Sequence, residues 1–394
     1  METGLRAAVP GASRLADARL LYWSNFFVSG AALTLIGPAL AELRDRTGTD
    51  VGQIGVLFVG QALGGVCGSL VAGLLVDRFN GHRVYAAAAV VMAAGQVVIP
   101  WLRSVPLLVA AFAVVGAGSL AVSTCTNALL VRRRDSSIGR GLSILHLCFG
   151  LGAIFAPLMA YLSVNLAFWS SAVAVAALGL TALRLPTPAP AESGTEHMNT
   201  TLTVMVLAAA FYWVYVGIEL GFAGWLATYG LAVGFDPAAV AWLNSGFWIA
   251  FTAGRALVSL PRRELVPRSV VATGLGLLLA GAVVLVAGNG AAVAVWWGTV
   301  LVGLAVAPQF PMMMTYLDRR ILLTGRFTSL MLAGAAAGNL TAPWLIGQWI
   351  HVSGAPALAW AVLVMAATLT AVFLMLDQVL GGSSRPRFMR REPL

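Results

Sequence analysis

Gly73-Leu74-Leu75-Val76-Asp77-Arg78-Phe79-Asn80-Gly81-His82-Arg83 is a short polar stretch between two apolar runs, each long enough to cross a bilayer. Carbonyls at a helix C-terminus concentrate negative potential, so Asp77, at the end of the preceding apolar helix, lies at the wrong pole and needs a cationic or helix-N-terminal partner. Arg78 and Arg83 are the local candidates. Asn80-Gly81 is expected to supply left-handed residues for a tight turn that brings them round.

The runs on either side recur along the chain. With 59% hydrophobic residues, 10% charged residues and a mean hydropathy of +0.88, the chain is too apolar to bury its side chains in a water-soluble globule. A helical span needs about 20 mainly apolar residues, and twelve such cores are read: 20–41, 52–76, 84–102, 106–131, 142–162, 164–183, 202–230, 237–259, 267–288, 291–316, 328–350 and 356–379. The fold class is therefore an all-α polytopic membrane protein with twelve transmembrane helices. The most polar central stretch, Leu185 to Thr200, divides six spans from six and reads as a linker. The expected organisation is an N-terminal six-helix bundle (1–184), a cytoplasmic linker (185–200), a C-terminal six-helix bundle (201–380) and a basic cytoplasmic tail (381–394).

All 24 basic residues are arginines, which suits a GC-rich bacterial genome. Cytoplasmic loops retain positive charge during insertion. With a cytoplasmic N-terminus, only Arg44, Arg46 and Arg103 fall in outside loops, while Arg132, Arg133, Arg134, Arg140, Arg262, Arg263, Arg319, Arg320 and Arg326 fall inside. The expected location is the cell membrane, multi-pass, with both termini cytoplasmic. The net charge of +9 is spread over many short loops rather than gathered on one face, so it speaks for topology and against nucleic-acid binding. Arg385, Arg387, Arg390 and Arg391 make a tail suited to anionic lipid. Cys67, Cys125 and Cys148 lie within spans without metal or disulfide spacing and read as packing residues. The first seventeen residues lack a signal-peptide profile, so the first span is expected to stay as an anchor.

The chain also carries an internal repeat. A shift of 186 positions places Arg133-Arg134 on Arg319-Arg320, Gly139-Arg140 on Gly325-Arg326, Ser143 on Ser329, Gly152 on Gly338 and Ala156-Pro157 on Ala342-Pro343. Span five thus corresponds to span eleven, and the two bundles are expected to be pseudo-symmetric. Parallel repeats of six helices mark one class of secondary transporter, with its substrate site between the halves near the bilayer midplane.

Polar residues inside spans need a reason, because an ionised group near the bilayer centre costs roughly 3 kcal/mol on insertion scales. Glu219 stands out in Tyr215-Val216-Gly217-Ile218-Glu219-Leu220-Gly221-Phe222-Ala223-Gly224-Trp225. Tyr215, Glu219, Phe222 and Trp225 fall broadly along one helical face, and the carboxyl is either paired for structure or serves a solute or proton. His146 titrates near neutrality in its unperturbed form. Asn25 and Asn127 carry both donors and acceptors, suited to hydroxyl-rich ligands. Asn244, Trp248, Gln309 and Asn339 are second-half candidates, and Arg255 reads as a snorkelling residue.

The spacing Gly-x-x-x-Asp-Arg-x-x-Gly-x-Arg between spans resembles the loop signature of the major facilitator superfamily, a resemblance that covers the whole chain. Leu145-His146 leading to Phe149-Gly150-Leu151-Gly152 and Pro157, Tyr215 to Glu219 with Gly224-Trp225, and Pro308-Gln309-Phe310-Pro311 look like the fucose/glucose-type sugar porters of that superfamily. The resemblance implies a polyhydroxylated solute bound by Glu219, Asn127 and aromatic residues, and a gating role for Gly73, Asp77, Arg78, Gly81 and Arg83 at the interface of the halves. One departure stands out. The sugar-proton symporters of this group carry an acid four residues before the span-four asparagine, where this chain has Ser123, in Ser123-Thr124-Cys125-Thr126-Asn127. Either Glu219 or His146 takes over coupling, or the protein is a facilitator, or its substrate differs.

The leading functional expectation is a secondary transporter or facilitator that moves a small polar, sugar-like solute by alternating access. The alternative is efflux of amphipathic drugs or metabolites, which the twelve tryptophans and the methionines suit. No His-Glu-x-x-His, Gly-Lys-Ser/Thr phosphate loop or Gly-x-Ser-x-Gly turn occurs, so the chain does not read as an enzyme. No cofactor and no metal are expected. The expected partners are a small-molecule solute, protons and the lipid bilayer, with the chain a monomer.

Overall fold

Proline and glycine explain where the long apolar runs break. In the computed structural model, which describes residues 10–132, 138–187, 201–259, 265–321 and 325–382, the first run forms α1 (Pro10–Thr34) and α2 (Ile36–Thr47), parted at Leu35. Pro38 has no N–H to return to the carbonyl four residues back, which loosens the helix at that turn. The second run forms α3 (Val51–Ile54), opened by an Asp50/Gln53 capping box, and α4 (Val56–Arg78), parted at Gly55. Then follow α5 (Gly81–Val98), a 3₁₀ turn at Ile99–Trp101, α6 (Val105–Val131), α7 (Ile138–Leu162) and α8 (Val164–Ala182).

The second half repeats the order with α9 (Leu202–Ala232), α10 (Pro237–Ser259), α11 (Pro267–Gly288), α12 (Ala292–Val306), α13 (Gln309–Asp318), α14 (Gly325–Ser353) and α15 (Ala357–Gly382). The tenth run is split into α12 and α13 at Ala307-Pro308. Eleven segments among the described residues are long and apolar enough to cross a membrane. The twelfth expected span, α10, has the length but carries Asn244, Ser245, Thr252 and Arg255. The chain is thus an all-helical multi-pass membrane protein.

The described residues form two compact units. One holds residues up to 35 and from 60 to 187; the other holds residues 36–59 and those from 201 onward. Residues 36–59 join the second unit for identifiable reasons: a Cβ on Gly37 would lie 2.8 Å from the Gly224 carbonyl oxygen, and the Phe58 and Trp225 rings meet at 5.7 Å. Gln348 Nε2 also donates to the Gly52 carbonyl at 2.8 Å, and His351 Nδ1 lies 3.5 Å from Asp50 Oδ1.

The repeat seen in the sequence recurs in the packing of each unit. In the first, α1 packs on α7, and a Cβ on Gly152 would collide with the Phe27 carbonyl; in the second, α9 packs on α14, and a Cβ on Gly338 would collide with the Trp213 carbonyl. Both members of the pair are displaced by 186. The α4–α6 approach is echoed in the same way by α10–α12. Gly116 sits against the Gln61 carbonyl and Gly303 against the Phe247 carbonyl; Gly68 sits against the Ala117 carbonyl and Gly254 against that of Leu304. The α12 partners have shifted by one further residue, which places a one-residue insertion between the matched positions. Left-handed Gly48 and Gly234, with φ of 65° and 92°, are related by the same 186.

Each unit also ties the start of its third span to the end of its sixth. His82, at the start of α5 and buried, shares hydrogen bonds with Tyr22 Oη (3.0 Å) and with Thr187 Oγ1 (3.1 Å) beyond α8. Arg268, its counterpart at the start of α11, forks onto Asp377 of α15 at 2.9 and 2.7 Å, and Tyr316 Oη donates to the same carboxylate at 2.6 Å. Thr187 lies within the expected linker (185–200), the rest of which, 188–200, lies outside the described residues, as do Arg133, Arg134, Arg262, Arg263 and the tail from 383. Of the cysteines, Cys125 is buried and Cys148 half-buried, but Cys67 is exposed and is not a packing residue.

Candidate functional site

The polar stretch at Asp77 resolves differently from the local expectation. Neither Arg78 nor Arg83 partners Asp77; its carboxylate pairs with Arg132, from the end of α6, whose Nη1 also donates to the Val76 carbonyl at 2.9 Å. Asn80 and Gly81 are not left-handed: Asn80 (φ −60°, ψ 112°) is the N-cap of α5, its Oδ1 accepting from the Arg83 amide at 3.1 Å. A capped helix start makes the tight turn unnecessary. Gly81 is buried, and a Cβ there would lie 2.7 Å from a Leu129 methyl; Gly73 has open space around it.

In the second unit, α9 runs for 31 residues with Glu219 as its only charged residue. Tyr215 precedes it by one helical turn, which puts both on one face. The Glu219 carboxylate lies within electrostatic reach of the Tyr215 hydroxyl and the Arg255 guanidinium of α10, and the buried Tyr215 hydroxyl makes no hydrogen bond among the described residues. Arg255 lies over the Phe251 ring, its Cζ 4.4 Å from the centroid. Phe251 in turn packs on Trp248 (5.3 Å), and Phe247 joins Trp248 to Phe222 of α9 (5.0 and 5.6 Å). On the other side, Tyr215 meets Phe310 of α13 at 5.9 Å, and Tyr212 donates to the Phe310 carbonyl at 3.0 Å. An acid, a guanidinium and a phenol are thus held together against an aromatic wall.

The pairing has a clear cause. Either charge alone would be expensive within a span, and each lowers the cost of the other. Chemically, the cluster offers acceptors at Glu219, forked donors at Arg255 and a hydroxyl at Tyr215, the complement of a solute bearing several hydroxyls. Arg255 is the member that sequence reasoning missed. Its signal was available: it is the only cation of α10, in the span that follows the one holding the unpaired acid.

The remaining candidates fall elsewhere. Trp225 is fully buried, its Nε1 donating to the Pro343 carbonyl at 2.6 Å, and Gly347 makes room for its ring. Asn244 is buried and donates to the Ala223 carbonyl at 3.3 Å. Gln309 is buried, Nε2 donating to the Val271 and Ala305 carbonyls at 3.3 and 3.2 Å. Asn339 is half-buried on α14 beside Gly338. In the first unit, Asn25 is buried and donates to Thr126 Oγ1 at 3.1 Å. Half-buried Asn127 donates to the Ser123 carbonyl of its own helix at 3.0 Å. His146 is exposed and meets Phe26 edge to face at 6.0 Å.

Comparison with known proteins bears on the whole of this arrangement. A family model described as Major Facilitator Superfamily matches residues 22–330. Sodium-dependent glucose transporter 1 of Xenopus laevis is 24% identical over 355 residues, covering 80% of this chain and 72% of that protein. Sodium-dependent glucose transporter 1A of Mus musculus is 25% identical over 373 residues, covering 82% and 88%. Among solved structures, a mutant of the nucleoside transporter NupG superposes with a TM-score of 0.71 at 14% identity, covering 93% of this chain and 99% of that one. Eleven apolar helical segments among the described residues, a helix-packing repeat at 186 and a family model spanning most of the sequence agree: the chain belongs to the major facilitator superfamily, and it is a transporter of small-molecule solutes rather than an enzyme.

Proposed function

We propose that this transporter moves a small polar, sugar-like solute across the cell membrane by alternating access, and that Glu219, Arg255 and Tyr215 form the core of its solute or coupling site. The observation that carries the reading is the Glu219 carboxylate, alone in an apolar span and within electrostatic reach of a guanidinium and a phenol. Supporting it, two relatives are named as glucose transporters and one structural neighbour as a nucleoside transporter, both sugar-bearing solutes. The proposed transport halves are residues 1–184 and 201–380; Asn127, Asn25 and His146 are the candidate solute-site residues within the first, and Trp248, Asn339, Asn244, Gln309 and Trp225 those within the second. The Asp77–Arg132 pair, with Gly73, Arg78, Gly81 and Arg83, is read as part of a gate. Both termini are placed in the cytoplasm, and the working unit is a monomer.

With Ser123 where an acid is usual, coupling falls to Glu219: a cation or proton that neutralises the carboxylate removes the charge that balances Arg255. The test is uptake of labelled hexoses and nucleosides by proteoliposomes under imposed sodium or proton gradients. Saturable uptake that Glu219→Gln uncouples from the gradient supports the reading. Uptake of every solute unchanged by Glu219→Gln overturns it.

A further inference from the structure

Two apolar grooves flank α5, and both begin at Arg83. The first, about 640 Å³, runs between α4, α5 and α6 from Phe79 and Arg83 as far as Val91. The second, about 490 Å³, runs between α5 and α8 from Arg83 as far as Val90. Each is of a size that holds a small molecule or a chain, roughly 300–1,000 Å³. Arg83 and Ala87 line both, so the grooves diverge from one cation and travel the same way along the helix. Over the seven or eight residues involved this is about 10–12 Å of depth at 1.5 Å per residue. The run Ala86-Ala87-Ala88-Ala89 keeps α5 slender between them.

We propose that this face of α5 binds one anionic diacyl phospholipid, its phosphate on Arg83 and one acyl chain in each groove. The occupant follows from the chemistry. A single cation at the common mouth of two parallel apolar clefts matches one anionic head joined to two hydrocarbon tails. Among the described residues no carboxylate engages the Arg83 guanidinium, since Asp77 is taken by Arg132. The exposed side chains along the first groove, Val71, Leu75, Phe79 and Val91, are apolar, as lipid contact requires. The site is separate from Glu219 and does not depend on the proposed solute.

Native mass spectrometry of the delipidated full chain, titrated with dioleoylphosphatidylglycerol and dioleoylphosphatidylcholine, tests this. Wild type is expected to bind one phosphatidylglycerol about fivefold more tightly than phosphatidylcholine, the contribution of one arginine at an anionic surface, and to show a raised melting midpoint with the former. Arg83→Gln should abolish the preference, while Arg78→Gln should retain it. Ala176→Trp, which narrows only the α5–α8 groove, should weaken the diacyl lipid and spare single-chain lysophosphatidylglycerol, so that a loss of folding is not mistaken for a loss of site. Equal affinity of wild type for both lipids, a preference surviving Arg83→Gln, or displacement of phosphatidylglycerol by inorganic phosphate or glycerol 3-phosphate would each overturn the proposal.

Discussion

At the scale of single residues, charge decides. Glu219 and Arg255 lie on neighbouring helices, each the only charged residue of its own. Replacing one leaves the other uncompensated: Glu219→Gln and Arg255→Gln are each expected to weaken solute binding about ten- to a hundredfold, the ~1.5–3 kcal/mol of a hydrogen bond to a charged group. The double variant should lose less than the sum, a non-additivity that ligand titration in a double-mutant cycle reads directly. Asp77 differs, because it is largely exposed while its partner Arg132 has a side chain only 5% exposed. Screening limits such a pair to about 1 kcal/mol. Asp77→Asn should therefore cost little in melting temperature, yet change transport rate with an unaltered substrate profile, as competition by a panel of unlabelled solutes would show. The sequence placed Asp77 at the wrong end of a dipole and correctly demanded a cation. It did not identify Arg132, since 55 residues separate the partners and only the return of α6 beside α4 joins them.

At the scale of elements, glycine sets how closely helices approach. Gly152 and Gly338 each abut a carbonyl of the neighbouring helix, so a larger side chain forces the backbones apart. Gly152→Leu and Gly338→Leu are expected to destabilise by about 2–3 kcal/mol each, seen as matched drops in thermal midpoint. A Leu at Gly73 or Gly276, where nothing lies within 4 Å, should be nearly silent. Trp225→Phe, losing both the bond to the Pro343 carbonyl and part of the buried ring that Gly347 accommodates, should cost about 2 kcal/mol. The glycine spacing was visible beforehand as small residues on one helix face. Which carbonyl each one met was not, because pattern along one helix says nothing of its neighbour's register.

At the scale of the whole molecule, hydropathy and arginine placement carry the topology. An impermeant maleimide applied to intact cells should label Asp45→Cys, in a background with Cys67, Cys125 and Cys148 replaced, and leave Arg184→Cys unlabelled until the membrane is permeabilised. The reverse pattern would invert the proposed orientation. The apolar spans and the 186-residue repeat were legible in the sequence, because a bilayer forces every backbone group into helix and leaves a length and hydropathy signature at each crossing. Tertiary structure alone decided which polar residues meet. It assigned residues 36–59 to the packing of the second unit, gave Asp77 its partner in Arg132, drew Arg255 to Glu219 and left Arg83 at the mouth of two grooves. Side-chain pairing depends on distances between helices far apart in the chain, and those distances are set by packing rather than by any pattern local to the sequence.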